Sequence, residues 1–193
     1  MISAIILAAG QSKRMGQPKM LLPWGNQTVI EHVVTTFLNA RIEDILIVTG
    51  AEREGVEKAI DHYPVRKAHN NDYAIGEMLS SIQRGLQELP EETGAALIGL
   101  GDQPQVRAES IRSICEAYRG GISRLIVPSY RMKRGHPWLV ARSLWDEILT
   151  LRSPKTPRDF LNQHPGEIVY VNMDTPTILA DLDTPDDYIK SRP

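Results

Sequence analysis

The sequence predicts an α/β fold in which helices cover both faces of a mostly parallel sheet. Short apolar runs of strand length alternate along the chain with stretches whose apolar residues recur at helical spacing. The early runs are continuous and rich in β-branched residues, as is typical of parallel strands buried on both faces. The later runs are more widely spaced, so we expect them to add a mixed or antiparallel edge. A length of 193 residues suits one domain, spanning residues 1–193.

The individual elements follow from the two periodicities. Strands are expected at residues 3–8, 44–49, 95–100, 125–127, 138–140, 168–171 and 178–182. Helices between the early strands are expected at residues 28–38, 52–60, 76–86 and 107–118. Spacing assigns buried faces to the first and third helices, through Val29, Val33 and Phe37 in one and Ile75, Leu79, Ile82 and Leu86 in the other.

Capping residues mark several helix starts. Thr28 and Glu31 have the spacing of a capping box, and Ser143 and Asp146 have a looser acidic form of it. Two later threonines each precede a proline, which pairs an N-cap with the residue favoured at the first helical position. These pairs are Thr156-Pro157 and Thr184-Pro185.

Composition excludes several classes of protein. With 22 basic and 24 acidic residues and a pI near 6.2, the chain lacks the basic excess of a general nucleic-acid binder. The apolar residues 1–9 are too few for a membrane span and lack a basic leader, so they are interpreted as a strand. Cys115 stands alone in an apolar helical pattern, which indicates a buried thiol and a reducing compartment. We therefore expect a cytoplasmic protein with no nucleic-acid or membrane partner.

Ligands of doubly wound sheets bind beyond the carboxyl ends of the strands. The first such loop holds Gly10, Lys13, Arg14, Gly16 and Lys19, a glycine-rich turn with three cations that suits phosphate binding. It lacks both the Gly-Lys-Ser/Thr of a P-loop and the G-x-G-x-x-G of dinucleotide-binding enzymes, which excludes a P-loop GTP-binding switch. Spacing alone leaves open a plain turn with surface cations.

Carboxylates follow two further apolar runs. Asp102 comes directly after the 95–100 strand with Gly101 before it, a placement that suits Mg²⁺ and equally suits a turn or helix cap. Asp181 and Asp183 would point to the same face if residues 178–182 formed a strand, so both could approach one metal ion. Asp183 is alternatively a neighbour of the Thr184 cap.

Five segments of the chain resemble motifs of a known family. The segments are Leu7-Ala8-Ala9-Gly10-x-Ser12-x-Arg14-Met15-Gly16-x-x-Lys19, Gly101-Asp102-Gln103-Pro104, residues 180–187, residues 70–81 and Gly135-His136-Pro137. They are similar to motifs of the MobA-like NTP transferases, the nucleotidyltransferase superfamily that includes molybdenum cofactor cytidylyltransferases and guanylyltransferases. The resemblance spans residues 3–188 and implies a Rossmann-like three-layer sandwich of the nucleotide-diphospho-sugar transferase type. In this chain Glu77 stands as an extra residue between Gly76 and Met78.

The resemblance also implies roles for individual residues. Arg14, Lys19 and Asp102 are the implied catalytic residues, and Asp102 and Asp183 are the implied ligands of Mg²⁺ or Mn²⁺, with Asp181 as a substitute. The implied nucleotide-binding residues are Leu7, Ala8, Ala9, Gly10, Ser12, Arg14, Lys19, Asn70, Gly76, Ser80, Ser81 and Gly101.

Gly135, His136 and Pro137 are the implied acceptor-binding residues. His136 is either a general base or a group that positions the acceptor phosphate, and we favour positioning because a phosphate nucleophile is already ionised near neutral pH. The cations just before this turn, Arg131, Lys133 and Arg134, suit an anionic acceptor, although solvated loop charge is nearly as good an explanation.

The implied reaction transfers a nucleotide to a phosphorylated acceptor with release of pyrophosphate. Ala8-Ala9-Gly10 favours CTP, because guanylyltransferases of the family carry Ala-Gly-Gly there. The implied acceptor is molybdopterin, the product is its cytosine dinucleotide form, and a molybdoenzyme would receive it. Alternatives are a transferase that uses GTP or acts on a sugar or alditol phosphate, and a non-catalytic factor for molybdoenzyme maturation.

Overall fold

The computed structural model describes residues 1–121 and 123–193. Its strands are β1 (Ile2–Ala8), β2 (Pro23–Trp24), β3 (Gln27–Thr28), β4 (Asp44–Thr49), β5 (Arg66–His69), β6 (Ala95–Leu100), β7 (Leu125–Tyr130), β8 (Lys133–Arg134), β9 (Trp138–Ala141) and β10 (Ile168–Asn172). Its α-helices are α1 (Val29–Asn39), α2 (Arg53–Ala59), α3 (Glu77–Glu88), α4 (Ala108–Arg119), α5 (Trp145–Thr150), α6 (Pro157–Gln163) and α7 (Pro185–Ser191). Short 3₁₀ turns lie at Lys19–Leu21, Arg142–Leu144 and Pro176–Leu179.

One sheet of eight strands organises the chain, in the order β10-β7-β9-β6-β1-β4-β5 with β8 paired to β7. Strands β6, β1, β4 and β5 are mutually parallel, and β10 is parallel to β7. Strand β9 runs antiparallel between β6 and β7, and β8 is antiparallel to β7. The prediction of a mostly parallel sheet with a mixed edge is confirmed.

The sheet separates two apolar layers, because successive side chains of a strand point to opposite faces. On β1, Ala4 and Ile6 pack in the layer that includes residues of α1, α2 and α4, whereas Ile5 and Leu7 pack in the layer that includes residues of α3, α5 and α6. The three-layer arrangement predicted for the chain is therefore present, and the carboxyl ends of β1, β4, β5 and β6 lie along one edge of it.

Most predicted helix starts are confirmed. Thr28, Thr156 and Thr184 each accept a hydrogen bond from the backbone N–H three residues on and complete a capping box. The Ser143 and Asp146 capping box is wrong, because Ser143 lies inside a 3₁₀ turn and α5 begins at Trp145 with no side-chain cap. Cys115 is buried in α4, as expected, and burial raises the pKa of its thiol to about 11.

Two further expectations are corrected. Residues 178–182 form no strand: Thr175 caps a 3₁₀ turn that Pro176 begins, so the argument that placed Asp181 and Asp183 on one face of a strand fails. Ile75 does not lie on the buried face of α3, since it precedes the helix and is 83% exposed. The structure adds β5, whose residues Arg66–His69 carry no apolar period, and the short β2–β3 hairpin.

Candidate active site

The loop after β1 is held against its neighbours by close backbone contacts. A Cβ on Gly50 would lie 2.5 Å from the carbonyl oxygen of Ala9, so the end of β4 approaches this loop as only glycine allows. On the other side, the Gly101 N–H donates to the Leu7 carbonyl at 2.9 Å. The loops that follow β1, β4 and β6 therefore meet at one place.

Ser12 organises the turn that follows. It adopts a left-handed conformation with φ of 50°, and its carbonyl accepts hydrogen bonds from the N–H groups of Met15 and Gly16 at 3.0 and 3.1 Å. Its hydroxyl accepts from the Lys19 N–H at 3.2 Å. Met15 is buried in a small apolar cluster. These contacts fix where the side chains of Arg14 and Lys19 begin.

Four charged side chains form a cluster at the carboxyl edge of the sheet. The Lys19 ammonium donates to the Asp102 carboxylate and lies 3.6 Å from an oxygen of Asp183. The Arg14 guanidinium lies 3.0 Å from the other Asp183 oxygen. Lys19 and Asp102 are largely buried, whereas the Arg14 side chain is 72% exposed and so has room to move. The structure thus brings together the predicted catalytic residues Arg14, Lys19 and Asp102 and both predicted metal ligands, Asp102 and Asp183.

Gln103 and Leu182 hold the C-terminal acidic segment against the β6 loop. The Leu182 N–H donates to the Asp102 carbonyl at 3.1 Å, and the Leu182 side chain is fully buried. The buried Gln103 amide donates to Asp181 at 2.5 Å. Desolvation and the nearby charges of Asp102 and Asp183 raise the pKa of Asp181, even though this residue lies at the surface. Sequence reasoning did not assign Gln103 a role, and its place beside Asp102 in the Gly-Asp-Gln-Pro motif was the available signal.

The carboxylates of this cluster suit a hard divalent cation. Within residues 1–121 and 123–193, no group of three or more His, Cys, Asp or Glu residues has a metal-binding arrangement. Mg²⁺ commonly takes only one or two protein carboxylates and completes its shell with phosphate oxygens and water. Asp102 and Asp183 already share one cation, the Lys19 ammonium, so their oxygens converge as such a site requires.

A pocket of about 220 Å³ opens beside this cluster. Six of the predicted nucleotide or catalytic residues line it: Leu7, Ala9, Gly10, Lys19, Ser81 and Asp102. Its remaining lining residues are Met20, Tyr73, Glu77, Met78 and Leu100, to which sequence reasoning assigned no role in the site. The predicted residues Ala8, Ser12, Arg14, Asn70, Gly76, Ser80 and Gly101 do not line this pocket.

Asn70 takes part in a buried network that shapes the pocket wall. Its amide donates to the hydroxyls of Ser80 and Ser81 at 2.8 and 2.9 Å, and its carbonyl accepts from the Asp72 N–H at 3.0 Å. These bonds tie the loop after β5 to the first turns of α3. In this structure Asn70 and Ser80 therefore support the wall, while Ser81 also reaches the pocket.

A larger cleft of about 950 Å³ adjoins the pocket, and Glu77 and Met78 line both. Gly135 and His136 line this cleft, together with Gly76 and Ser80. The Pro137 peptide bond is cis, and Pro137 itself is buried without lining the cleft. A Cβ on Gly135 would lie 2.4 Å from the Ile178 carbonyl, which also accepts from the His136 N–H at 3.0 Å.

His136 is a poor proton acceptor at neutral pH. Burial lowers the pKa of its imidazole from 6.5 to about 4, so the ring is neutral near pH 7. A neutral ring can donate or accept a hydrogen bond but adds no positive charge for an anion. A ring with so low a pKa is a weak base, which favours positioning over general-base chemistry at this residue.

Strained backbone borders both cavities. Glu77 at the start of α3 has φ of 49°, and the hairpin residues Arg131 and Met132 have φ of 49° and 68°. Non-glycine residues seldom adopt this left-handed conformation, which costs of order 1–3 kcal/mol each and tends to persist at functional sites. Glu77 thus begins α3 in an unusual conformation.

No helix in the part of the chain that the structure describes has the length and apolar character needed to span a membrane.

Comparison with known proteins identifies the family. The profile of the MobA-like NTP transferase domain matches residues 4–168. The molybdenum cofactor cytidylyltransferase of Escherichia coli is 29% identical over 191 residues, which covers 99% of this chain and 95% of that protein. Nicotine blue oxidoreductase of Paenarthrobacter nicotinovorans is 28% identical over 192 residues, covering 95% and 92% of the two chains.

Solved structures agree with this relationship. Rv0371c from Mycobacterium tuberculosis superimposes with a TM-score of 0.86 and 25% identity, covering 98% of this chain and 96% of that one. A complex of the same mycobacterial protein with manganese superimposes with a TM-score of 0.80 at equal identity and coverage. The chain therefore belongs to the MobA-like NTP transferase family, and it is a nucleotidyltransferase of the Rossmann-like fold.

Proposed function

We propose that this protein is a CTP:molybdopterin cytidylyltransferase that makes the molybdopterin cytosine dinucleotide cofactor and releases pyrophosphate. The whole of residues 1–193 serves as one nucleotidyltransferase domain. The observation that carries the proposal is the cluster in which Lys19 bridges Asp102 and Asp183 at the mouth of the 220 Å³ pocket. Cations and carboxylates held together at the carboxyl edge of a parallel sheet suit a reaction in which phosphate charge must be bound and stabilised.

In the proposed reaction, a phosphate oxygen of the acceptor attacks the α-phosphorus of the nucleotide in line with the leaving group. A new P–O bond forms, the bond to the β-phosphate oxygen breaks, and its electron pair leaves with pyrophosphate. Little covalent chemistry remains for the protein, so catalysis consists of positioning and charge stabilisation. Lys19 and the exposed Arg14 stabilise the negative charge on the phosphates and on the departing pyrophosphate.

Asp102 and Asp183 are the proposed ligands of the divalent cation, with Asp181 as the substitute. Mg²⁺, or Mn²⁺ in its place, neutralises charge on the phosphate oxygens when bound. The manganese complex of the mycobacterial relative supports a divalent metal in this family. Because Lys19 contacts the same carboxylates, we expect its ammonium to move from Asp102 towards the phosphates when the cation and nucleotide bind.

The preference for CTP rests on Ala9. Ala9 lies against Gly50. A Cβ added to Gly50 would lie 2.5 Å from the Ala9 carbonyl oxygen and 2.7 Å from the Ala9 methyl group. The methyl therefore packs the loop against the end of β4, and the loop lines the pocket at Ala9 and Gly10. The family resemblance at Ala8-Ala9-Gly10 and the cytidylyltransferase among the relatives both support cytidine.

Pyrophosphate release tests the proposal against its alternatives. Purified protein with Mg²⁺ is offered CTP or GTP, each with molybdopterin, with a sugar phosphate, with an alditol phosphate, or with no acceptor. The proposal predicts release with CTP and molybdopterin together. Release with GTP but not with CTP would reassign the nucleotide. Release only with a sugar phosphate or an alditol phosphate would reassign the acceptor. A complete lack of release would favour a non-catalytic maturation factor and would contradict the proposed enzyme.

A further inference from the structure

The cleft of about 950 Å³ is lined by an excess of positive charge. Five cations line it: Lys133, Arg134, Arg152, Lys155 and Arg158. Among the described residues that line the cleft, Glu77 is the one acid. A protein whose formal net charge is −2 thus concentrates unbalanced positive charge in one cavity.

Within residues 1–121 and 123–193, no carboxylate pairs directly with these cations, although hydrogen bonds from Thr156 and the nearby charges of Lys155 and Arg158 lower the pKa of Asp159, the residue next to Arg158. Across the described part of the chain, none of the five lies in a salt bridge, whereas Arg53, Arg66 and Lys67 each contact a carboxylate. Arg134 donates to the Tyr170 hydroxyl and the Asn162 amide oxygen at 2.9 and 2.8 Å. Arg152 donates to backbone carbonyls. Neutral groups therefore hold Arg134 and Arg152 in place, whereas Lys133, Lys155 and Arg158 are exposed side chains that can reach an anion in the cleft.

The cations come from two segments that differ in their link to the acidic cluster. Lys133 and Arg134 precede His136, and the Ile178 carbonyl accepts from the His136 N–H and, at 3.5 Å, from the Gln103 amide that also holds Asp181. That segment lies beside the reacting centre. Arg152 and Lys155 lie between α5 and α6, and Arg158 lies in the first turn of α6. Among the described residues, no hydrogen bond or salt bridge joins these three cations to Asp102, Asp181 or Asp183.

Apolar side chains at the cleft have no cover of their own. Ile75 and Met132 are 83% and 95% exposed, and Met78 is 39% exposed. All three line the cleft, and each lies in or next to a segment with left-handed backbone. Exposed apolar groups beside unpaired cations suit a ligand that has an organic body as well as anionic groups.

We propose that Arg152, Lys155 and Arg158 bind a second anionic group of the acceptor, at the end remote from the phosphate that reacts. Ile75 and Met132 contact the organic body between the two ends, and His136 with Arg134 positions the reacting phosphate. The acceptor class is therefore a large molecule with anions at both ends, not a simple phosphate monoester. This inference rests on the proposed nucleotidyl transfer and specifies how that site selects its acceptor.

The test compares Lys155→Ala/Arg158→Ala with the control Lys58→Ala/Lys190→Ala, which removes two exposed cations outside the cleft. The acceptors are metal-loaded molybdopterin, which carries an anionic dithiolene end, and phosphorylated hydroxymethylpterin, which carries only the reacting phosphate. The cleft variant is expected to raise KM for molybdopterin about tenfold or more, because it removes two cations that would bind the remote anion of this acceptor. KM for CTP, and KM for the smaller pterin, should stay within about twofold of the unchanged protein.

Equilibrium dialysis of molybdopterin without nucleotide gives a second readout, in which Kd should rise by the same factor in the cleft variant alone. Equal molybdopterin KM and Kd values in the two double variants would overturn the inference while leaving nucleotidyl transfer intact. An equal loss of affinity for both acceptors would also overturn it, because the cations would then serve the reacting phosphate. Absence of nucleotidyl product from the unchanged protein would instead refute the proposed function, and dialysis would still report whether the cleft binds the acceptor.

Discussion

The ammonium of Lys19 donates to the carboxylate of Asp102 across 83 positions of sequence. The sequence predicted that Lys19 binds phosphate and that Asp102 binds metal, but it did not predict that the two side chains are in contact. Both side chains are largely buried, and an isolated buried charge is costly, so each stabilises the other when no substrate is present. Nucleotide and divalent cation together supply the same two charges, which allows the pair to separate without leaving either group unpaired.

Replacing Asp102 by Asn tests the carboxylate itself. Asn keeps the size of the side chain but removes the charge that faces Lys19. We expect kcat to fall by about 10²-fold or more, the loss typical of removing one electrostatic group from an active site. Steady-state pyrophosphate release measures it. Asp186→Asn, in the exposed first turn of α7, is the matched control and should retain full activity. Undiminished turnover in Asp102→Asn would contradict the assigned role.

Replacing Lys19 by Met should change metal binding and catalysis in opposite directions. The variant removes the ammonium that bridges Asp102 and Asp183, so a divalent cation no longer competes with it. We expect Mn²⁺ to bind several-fold more tightly in the absence of nucleotide, while turnover falls by about 10²-fold. Electron paramagnetic resonance of free Mn²⁺ measures binding, with exposed Lys58→Met as the control. Unchanged or weaker Mn²⁺ binding in Lys19→Met would contradict the competition between the ammonium and the metal ion.

His136 should make the fold sensitive to acid. The pKa of the His136 imidazole is about 4 in the folded protein, whereas an exposed histidine of the unfolded chain has a pKa of 6.5. Between these two pH values the unfolded chain therefore binds a proton that the folded chain does not. The free energy of unfolding therefore falls as pH decreases, by about 2 kcal/mol between pH 7.5 and pH 5. Urea unfolding at both pH values should show this loss in the unchanged protein and a smaller one in His136→Gln.

Exposed Lys58→Gln serves as the control for that measurement and should leave the acid sensitivity unchanged, because it introduces the same side chain at the surface without removing an imidazole. The same pKa predicts no inflection in the pH–rate profile from His136 between pH 6 and pH 8. Acid sensitivity that persists in full in His136→Gln would place its origin elsewhere.

Gly50→Ala should destabilise the fold at the nucleotide loop. The added Cβ would lie 2.5 Å from the Ala9 carbonyl oxygen and 2.7 Å from the Ala9 Cβ, so the loop must shift. Overpacking of this kind costs typically 1–3 kcal/mol, roughly the loss we expect in chemical denaturation, together with weaker CTP binding. Gly166→Ala is the control, because among the described residues no atom lies within 4 Å of its Cβ position. Equal stability of the two variants would contradict the close approach.

The sequence was most informative where local signals and burial agree. Strands β1, β4 and β6 are continuous apolar runs, and Thr28, Thr156 and Thr184 supply caps whose hydrogen bonds are local. Strand β5 was missed because Arg66–His69 sits at the sheet edge with mostly polar residues, and its identity depends on pairing with β4. Such pairing is set by contacts distant in sequence.

In the candidate site, too, local motifs were predictable from the sequence and long-range contacts were not. Motif residues predicted which loops meet, but the path of residues 178–183 depends on long-range bonds from Leu182 to Asp102 and from Gln103 to Asp181. Ile75 fitted the helical period yet precedes the helix and lines the cleft. The cations of residues 152–158 carry no recognisable motif, because their significance arises only where the fold brings them to the cavity shared with His136.

Mass analysis of the product tests the central claim most directly. Purified protein with Mg²⁺ is incubated with molybdopterin and an equimolar mixture of CTP and GTP, and the pterin products are identified by mass. The account predicts molybdopterin that has gained one cytidine monophosphate unit, with one equivalent of pyrophosphate released. Molybdopterin carrying guanosine monophosphate would contradict the base assignment made from Ala9, and no nucleotidyl product with either base would contradict the claim itself.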